Sequence, residues 1–251
     1  MTKHTTGWVA SALKDFSRAR EMIGAAAKKT PASCSGKVCV PSDIVPMTRN
    51  EPGRPGFDRR MSKDEINACP MGRWTGSVRV VRTQDELVAA MRVLAGQNLL
   101  GFDTETRSAH TRGESYPPSL LQLAGESEVC LFQLKYLGLA EPLRRILADQ
   151  AIIKTGVGVD YDLRELRKLH PFKPAGFVDL GDRARKAGIE NLGLRGLAAV
   201  LLGFRISKGV KVSNWAKDEL SPQQIQYAAT DAWVGRCLYL ALERVIARDA
   251  P

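Results

Sequence analysis

The residues that most constrain the fold run from Leu99 to Thr106, where an apolar segment ends in two carboxylates, Asp103 and Glu105. Side chains alternate between the two faces of a strand, so residues two apart point the same way. The apolar run predicts a buried strand with both carboxylates on one face at its carboxyl end, where α/β proteins place their ligands. Because two buried like charges need a counter-charge, this pattern favours a divalent metal held by oxygen atoms.

Two more carboxylates and a tyrosine extend this pattern. Asp162 opens a predicted helix that follows a strand and a glycine-containing turn. Asp231 lies in a predicted C-terminal helix, and Tyr227 is four residues earlier on the same helix face. Four acids on three separate elements, one of them with a tyrosine a turn before it, are typical of a two-metal phosphodiesterase site.

Three short segments together resemble the motifs of the DEDD superfamily, the DnaQ-like 3′–5′ exonucleases with a ribonuclease H-like fold. They are FDTE at 102–105, GVGVDYD at 156–162 and YAATD at 227–231. SNW at 213–215 and LSPQQ at 220–224 are similar to ribonuclease D and to the exonuclease domain of the Werner syndrome protein. The resemblance covers the chain from about Trp74 to about Arg248.

The resemblance implies a ligand set and a reaction. Asp103, Glu105 and Asp231 would hold one ion and Asp103 with Asp162 a second, and the all-oxygen set suits Mg²⁺ or Mn²⁺. One ion would lower the pKa of a bound water and the other would stabilise the leaving 3′ oxygen, releasing nucleoside 5′-monophosphates. The alternative is a catalytically inactive nucleic-acid-binding module on the same fold. Such a module is expected to have lost a carboxylate, and all four are present.

One position indicates the subtype. Histidine-type members have a His five residues before the last Asp, where this chain has Gln226, and tyrosine-type members have a Tyr four residues before it, here Tyr227. The chain therefore resembles the tyrosine subtype, in which Tyr227 would orient the attacking water. A tyrosine that only packs on a helix face is the alternative.

Residues near the first and last motifs are predicted to contact the substrate. Lysines and arginines there would bind backbone phosphates, although solvated loop charges are the alternative for the arginines. The tryptophan would either stack on a base or pack in the core. The predicted contacts are Lys208, Lys211, Ser213, Asn214, Trp215, Arg107 and Arg112.

Other features near the second motif have non-catalytic interpretations. Asp160 competes with Asp162 for the ligand position, and we interpret it as a helix cap or a group that supports the ligands. Asp179 closes a predicted strand and is expected to cap the next helix. The two glycines of GVG match the start of a dinucleotide-binding fingerprint, but a tyrosine stands at its third glycine.

The order of patterns predicts an α/β fold. Three strands joined by short turns, followed by alternating helices and strands, indicate a mixed sheet flanked by helices, as the ribonuclease H-like resemblance implies. The predicted strands are 78–82, 98–103, 119–124, 128–133, 151–155 and 176–179, and the predicted helices are 84–95, 136–148, 162–169, 181–186, 194–202 and 222–247.

The chain is predicted to divide near residue 72. Residues 1–72 are a basic extension that carries +5 of the chain's net charge of +10, and residues 73–251 form the exonuclease domain. A short amphipathic helix over 8–23 precedes a segment rich in Pro, Ser, Gly and basic residues, which is expected to be weakly ordered. This helix would contact nucleic acid or a partner, act as a weak targeting segment, or pack on the catalytic domain.

Composition limits the cellular compartment and the class of partner that the chain is expected to have. The net charge of +10 predicts a polyanionic partner, RNA or DNA, which the motifs do not distinguish because both present the same phosphates. No apolar run approaches the roughly 20 residues of a membrane span, and no secretory pattern is visible at the N-terminus. Five cysteines favour a reducing intracellular compartment. Cys34, Cys39 and Cys69 would need a fourth ligand to bind zinc, so free thiols are expected.

Overall fold

A six-stranded mixed sheet forms the centre of the protein. The computed structural model describes residues 55–108, 113–208 and 213–248. The strand order is β1-β4-β3-β2-β5-β6. Strand β3 is antiparallel to β2 and β4, and the pairs β1–β4, β2–β5 and β5–β6 are parallel. The strands are β1 Ser77–Val81, β2 Leu99–Thr106, β3 Pro118–Ala124, β4 Glu128–Gln133, β5 Ile153–Gly156 and β6 Phe177–Asp179.

Helices cover both faces of the sheet, which confirms the predicted α/β class. One face packs against the long C-terminal helix α8 and a second core forms on the opposite face with α2, α4 and α5. The helices are α1 Lys63–Ala68, α2 Gln84–Leu94, α3 Leu134–Leu137, α4 Glu141–Ala148, α5 Val159–Leu169, α6 Leu180–Lys186, α7 Leu194–Leu197 with a π-helical turn over Ala198–Leu202, and α8 Pro222–Arg248.

Two predicted helices differ from the observed ones because of glycines with positive φ. The predicted helix 136–148 is two helices, since α3 ends at Gly138 with φ +57°. Helix α5 begins at Val159 rather than at Asp162, because Gly158 takes the left-handed conformation before it. The helix predicted over 194–202 has the predicted bounds, with π-helical geometry in its second half, and stops at Gly203, φ +69°.

Residues 55–72 pack on the domain that follows them. Phe57 is buried beside the π-helical turn. The backbone N–H of Met61 donates to Asn191 Oδ1 at 2.7 Å, and Asn191 Nδ2 donates back to the Met61 carbonyl at 3.1 Å. Residues 55–72 are therefore part of the folded domain in the described structure. Residues 1–54, including the helix predicted over 8–23, lie outside the described residues.

The described cysteines, Cys69, Cys130 and Cys237, are free thiols. Burial raises the pKa of Cys130 to about 12, which leaves it unreactive at neutral pH. Cys34 and Cys39 lie outside the described residues. Among the residues with a described structure, no helix is both long and apolar enough to cross a bilayer.

Candidate active site

Three carboxylates meet at one edge of the sheet. Asp103 and Glu105 project from the same face of β2, as strand alternation predicts, and Asp231 approaches them from α8. One carboxylate oxygen from each residue lies within 4.8 Å of the other two. Asp231 is only 6% exposed, and Asp103 and Glu105 are half-buried, so three acidic groups share a partly enclosed site.

A glycine lets α8 come this close to the strand. Gly101 lies on β2 two residues before Asp103, on the same face, and a Cβ atom there would overlap the backbone oxygen of Ala232. Further along the helix, a Cβ at Gly235 would lie 3.0 Å from the carbonyl oxygen of Thr155. Backbone contact between strand and helix therefore fixes the position of Asp231 beside the strand carboxylates.

The electrostatics of this cluster favour a bound cation. Burial raises the pKa of Asp103 well above its usual range, and the carboxylates of Asp231, Glu105 and Asp162 raise it further. Buried acids that repel one another are stabilised when a divalent ion lies among them. The donors are all carboxylate oxygens, which hard ions prefer over zinc. The residues present therefore fit a divalent metal.

Tyr227 lies one helical turn before Asp231 and is hydrogen-bonded to it. Burial raises the pKa of Tyr227 above its usual value, and the charges of Asp231 and Glu105 act in the same direction. The hydroxyl is therefore a neutral donor and acceptor at ordinary pH rather than a base. Its ring packs against Trp215 with centroids 6.0 Å apart, which holds the phenol in position.

The fourth acid is held from the other side of the strand. Thr104 points away from Asp103 and Glu105, and its hydroxyl donates to Asp162 Oδ1 at 2.7 Å. Burial raises the pKa of Asp162 to about 6, against the lowering effect of that hydrogen bond. Thr104, which lies between Asp103 and Glu105 on β2, therefore contacts Asp162 on the opposite face of the sheet.

Asp179 organises the segment that carries Asp162. Its Oδ1 accepts from the N–H of Asp182 at 3.1 Å, which confirms the predicted cap of α6. Its Oδ2 also accepts from the N–H groups of Gly158 and Val159 at 2.7 and 3.1 Å, at the start of α5. The cap predicted for Asp160 was wrong: that side chain is exposed in the first turn of α5, and the capping position is Gly158.

A cleft of about 680 Å³ opens over the carboxylates. Of the predicted substrate contacts, Lys208 lines it. Arg195 also lines it and was missed in the sequence, since nothing in its local pattern separates it from a surface arginine. Its Nε donates to the carbonyl of Ile206 at 3.1 Å and its Nη2 to Asn67 Oδ1 at 2.7 Å, so the guanidinium is held at the cleft wall.

Four other residues predicted to contact the substrate interact with side chains of the protein itself. Trp215 is fully buried, so the stacking prediction was wrong and the packing alternative holds. The Ser213 hydroxyl and the Asn214 carbonyl accept from Nε2 of Gln224 at 3.0 and 3.2 Å, next to the start of α8. The Arg107 guanidinium lies 4.7 Å from the ring centre of Tyr116. Lys211 and Arg112 lie outside the described residues.

Comparison with known proteins agrees with this geometry. A family model described as 3′–5′ exonuclease matches residues 78–247. The chain belongs to the 3′–5′ exonuclease family. Family members are divalent-metal dependent, and the carboxylate cluster of this chain lies within the matched residues.

Relatives of this exonuclease domain occur in several larger proteins. Exonuclease 3′-5′ domain-containing protein 2 of Mus musculus is 36% identical over 156 residues, 57% of this chain and 24% of that protein. Ribonuclease D of Gluconacetobacter diazotrophicus is 32% identical over 171 residues, 66% of this chain and 42% of that protein. The chain thus spans less than half the length of these two relatives.

Solved structures share the fold. The Nibbler EXO domain of Aedes aegypti superposes with a TM-score of 0.60 at 23% identity, covering 68% of this chain and 89% of that one. Escherichia coli RNase D gives a TM-score of 0.60 at 22% identity, covering 67% of this chain and 46% of that one. The ribonuclease H-like architecture predicted from the motifs is confirmed.

Proposed function

We propose that this protein is a metal-dependent 3′–5′ exonuclease that hydrolyses the terminal phosphodiester bond of RNA or DNA and releases nucleoside 5′-monophosphates. The observation that carries the proposal is the close approach of Asp103, Glu105 and Asp231 next to Tyr227, in a chain of the exonuclease family. An inactive binding module would have no need to hold three repelling carboxylates within 4.8 Å of one another.

Asp103, Glu105 and Asp231 would hold one Mg²⁺ or Mn²⁺ ion, and Asp103 with Asp162 a second. Two such ions supply an activated water and charge stabilisation for the leaving oxygen. The neutral Tyr227 hydroxyl orients the water by a hydrogen bond, since its raised pKa prevents it from removing a proton. Lys208 and Arg195, on the cleft wall, face the phosphates of the strand.

The test is turnover on matched 3′-labelled RNA, single-stranded DNA and recessed duplex, with Mg²⁺, Mn²⁺ or EDTA. We expect mononucleotide release from the 3′ end with either ion and none with EDTA. The relative rates on the three substrates then define the natural one. Asp103→Ala should remove turnover without loss of helical content. Turnover that survives in EDTA or in Asp103→Ala would overturn the proposal.

A further inference from the structure

Gln122 lies in the same row of the sheet as Asp103. Strand β3 pairs with β2 in antiparallel register, with Gln122 opposite Asp103 and Leu120 opposite Glu105. Residues opposite one another in such a pair point to the same face, with Cβ atoms about 4.5–5.5 Å apart. Gln122 therefore lies beside the carboxylate cluster, on the α8 face of the sheet.

The side chain of Gln122 is completely buried, and its amide is unbonded. Gln122 is 0% exposed, and neither Nε2 nor Oε1 has a hydrogen-bond partner among the residues that the structure describes. The strand neighbours Leu120, Ala124 and Leu131 on the same face are apolar. An apolar side chain of this size would fill the space without the cost of burying an unbonded amide. Packing alone therefore does not explain a glutamine at this position.

A second buried glutamine on the same face shows an amide used for structure. Gln133, on β4, lies opposite Leu120. Its Nε2 donates to the carbonyl of Lys217 at 3.0 Å, which ties the segment before α8 to the sheet. The donor of Gln133 is therefore already used by the fold, whereas Nε2 of Gln122 is available to another acceptor.

The carboxylate of Asp103 is the acceptor best placed for Gln122. Asp103 is directly opposite, and Glu105 and Gln133 are diagonal neighbours at about 7–8 Å, within reach of a long side chain. A charged acceptor binds a donor more strongly than a neutral amide does. Asp103 Oδ1 accepts from the N–H of Thr104 at 2.9 Å. A second donor would fix the direction in which the carboxylate presents its oxygen atoms.

We propose that Gln122 is a positioning residue for the metal site, whose Nε2 donates to the Asp103 carboxylate and orients it toward the ion. The inference rests on the proposed function, in which Asp103 contacts both ions. Because Nε2 is unbonded in the structure, the hydrogen bond forms when an ion draws the carboxylates together. Loss of a group that orients a metal ligand typically lowers metal affinity roughly 10- to 100-fold. Gln122 contacts neither ion nor substrate and acts through Asp103.

NMR signals of the side-chain amides test the inference in the wild-type chain. Mg²⁺ is titrated into isotope-labelled protein while the Nε2 protons of Gln122 are followed. They should move downfield as the ion binds, because a hydrogen bond to a carboxylate forms. The Nε2 protons of Gln133, already bonded to the Lys217 carbonyl, are the control and should move little. Unchanged Gln122 signals at saturating Mg²⁺ would overturn the inference.

Gln122→Met separates positioning from a structural role. Methionine keeps the length of the side chain and removes the donor. Mn²⁺ affinity, measured by isothermal titration calorimetry, should fall roughly 10- to 100-fold. The melting temperature in EDTA should hold or rise, because an unbonded buried amide is lost.

Thr155→Val is the matched control, because the Thr155 hydroxyl on β5 is also buried and lacks a partner in the described part of the chain. Its Mn²⁺ affinity should equal that of wild type. A Gln122→Met variant that binds Mn²⁺ as tightly as Thr155→Val would refute the positioning role.

The two proposals fail separately. If wild type neither binds Mn²⁺ nor cleaves any substrate, the proposed function is wrong and the role of Gln122 falls with it. If wild type binds Mn²⁺ and cleaves, but Gln122→Met binds Mn²⁺ equally well, only the positioning inference is wrong. If circular dichroism shows that Gln122→Met does not fold, the amide signals of wild type decide.

Discussion

The two faces of the sheet hold their acids by different means, and the clustered carboxylates do not include Asp162. On the α8 face, Asp231 reaches Asp103 because Gly101 allows backbone contact with the helix. On the other face, Asp162 is held by a hydrogen bond from Thr104 and by the capping of its helix by Asp179. Packing sets a position that a side chain cannot adjust, whereas each polar contact contributes only about 1 kcal/mol and can be weakened gradually.

Asp231→Asn should have the largest effect and should separate activity from stability. Turnover should fall by roughly 10³-fold or more, equivalent to about 4 kcal/mol, because a ligand of the tightly packed cluster loses its charge. In metal-free buffer the melting temperature should rise, since one of three clustered and mutually repelling carboxylates is neutralised. Calorimetry in EDTA and turnover in Mn²⁺ measure the two quantities. A lower melting temperature would contradict the assigned repulsion.

Gly101→Ala should lower both turnover and the free energy of unfolding. The new Cβ meets the Ala232 backbone, so strand and helix must separate. Overpacking of this kind costs about 1–3 kcal/mol, and a displacement of about 1 Å at reacting groups lowers rates roughly 10²-fold. Gly125→Ala is the matched control, because its Cβ would lie 3.4 Å from its nearest neighbours. Urea unfolding and turnover are the measurements, and an active, stable Gly101→Ala would refute the packing argument.

Tyr227→Phe keeps the α8 face intact and removes one oxygen. We expect kcat to fall roughly 10²-fold, as for a positioned acid–base group, with oligonucleotide affinity nearly unchanged. Fluorescence anisotropy in EDTA reports the affinity and single-turnover kinetics reports the rate. Equal losses in both would indicate instead that Tyr227 holds substrate or structure.

Asp179→Asn should weaken the opposite face in a graded way. An amide has one acceptor oxygen where the carboxylate uses two, so it cannot cap α6 and accept from Gly158 together. We expect Mn²⁺ affinity, measured by isothermal titration calorimetry, to fall roughly tenfold while turnover at saturating Mn²⁺ changes little. Asp160→Asn, exposed on α5, is the control for the lost charge. Identical Mn²⁺ titrations for the two variants would show that Asp179 has no role in metal binding.

The motifs predicted much of this site because strand and helix periodicity are local. Alternation in β2 placed Asp103 and Glu105 together, and a four-residue spacing placed Tyr227 with Asp231. Thr104 was open to the same reasoning, since alternation turns it to the opposite face. Helix ends were harder to predict, because they depend on positive φ at Gly138 and Gly158, which the spacing of apolar residues does not reveal.

Long-range contacts explain what sequence patterns did not reveal. Arg195 is a cleft residue only because Ile206 and Asn67 orient it, and neither is its neighbour in sequence. Trp215 has the composition of a stacking residue, but complete burial under α8 removes it from the solvent. Contacts between segments that are distant in sequence determine the positions of both side chains.

The hydrogen bond from Gln226 to Trp74 also limits which side chains position 226 can carry. The Gln226 amide joins the Trp74 carbonyl to α8, five residues before Asp231. A histidine at position 226 with its ring turned toward the carboxylates would leave the Trp74 carbonyl without this donor. Such a substitution is therefore expected to need a second change near residue 74 that replaces the lost hydrogen bond.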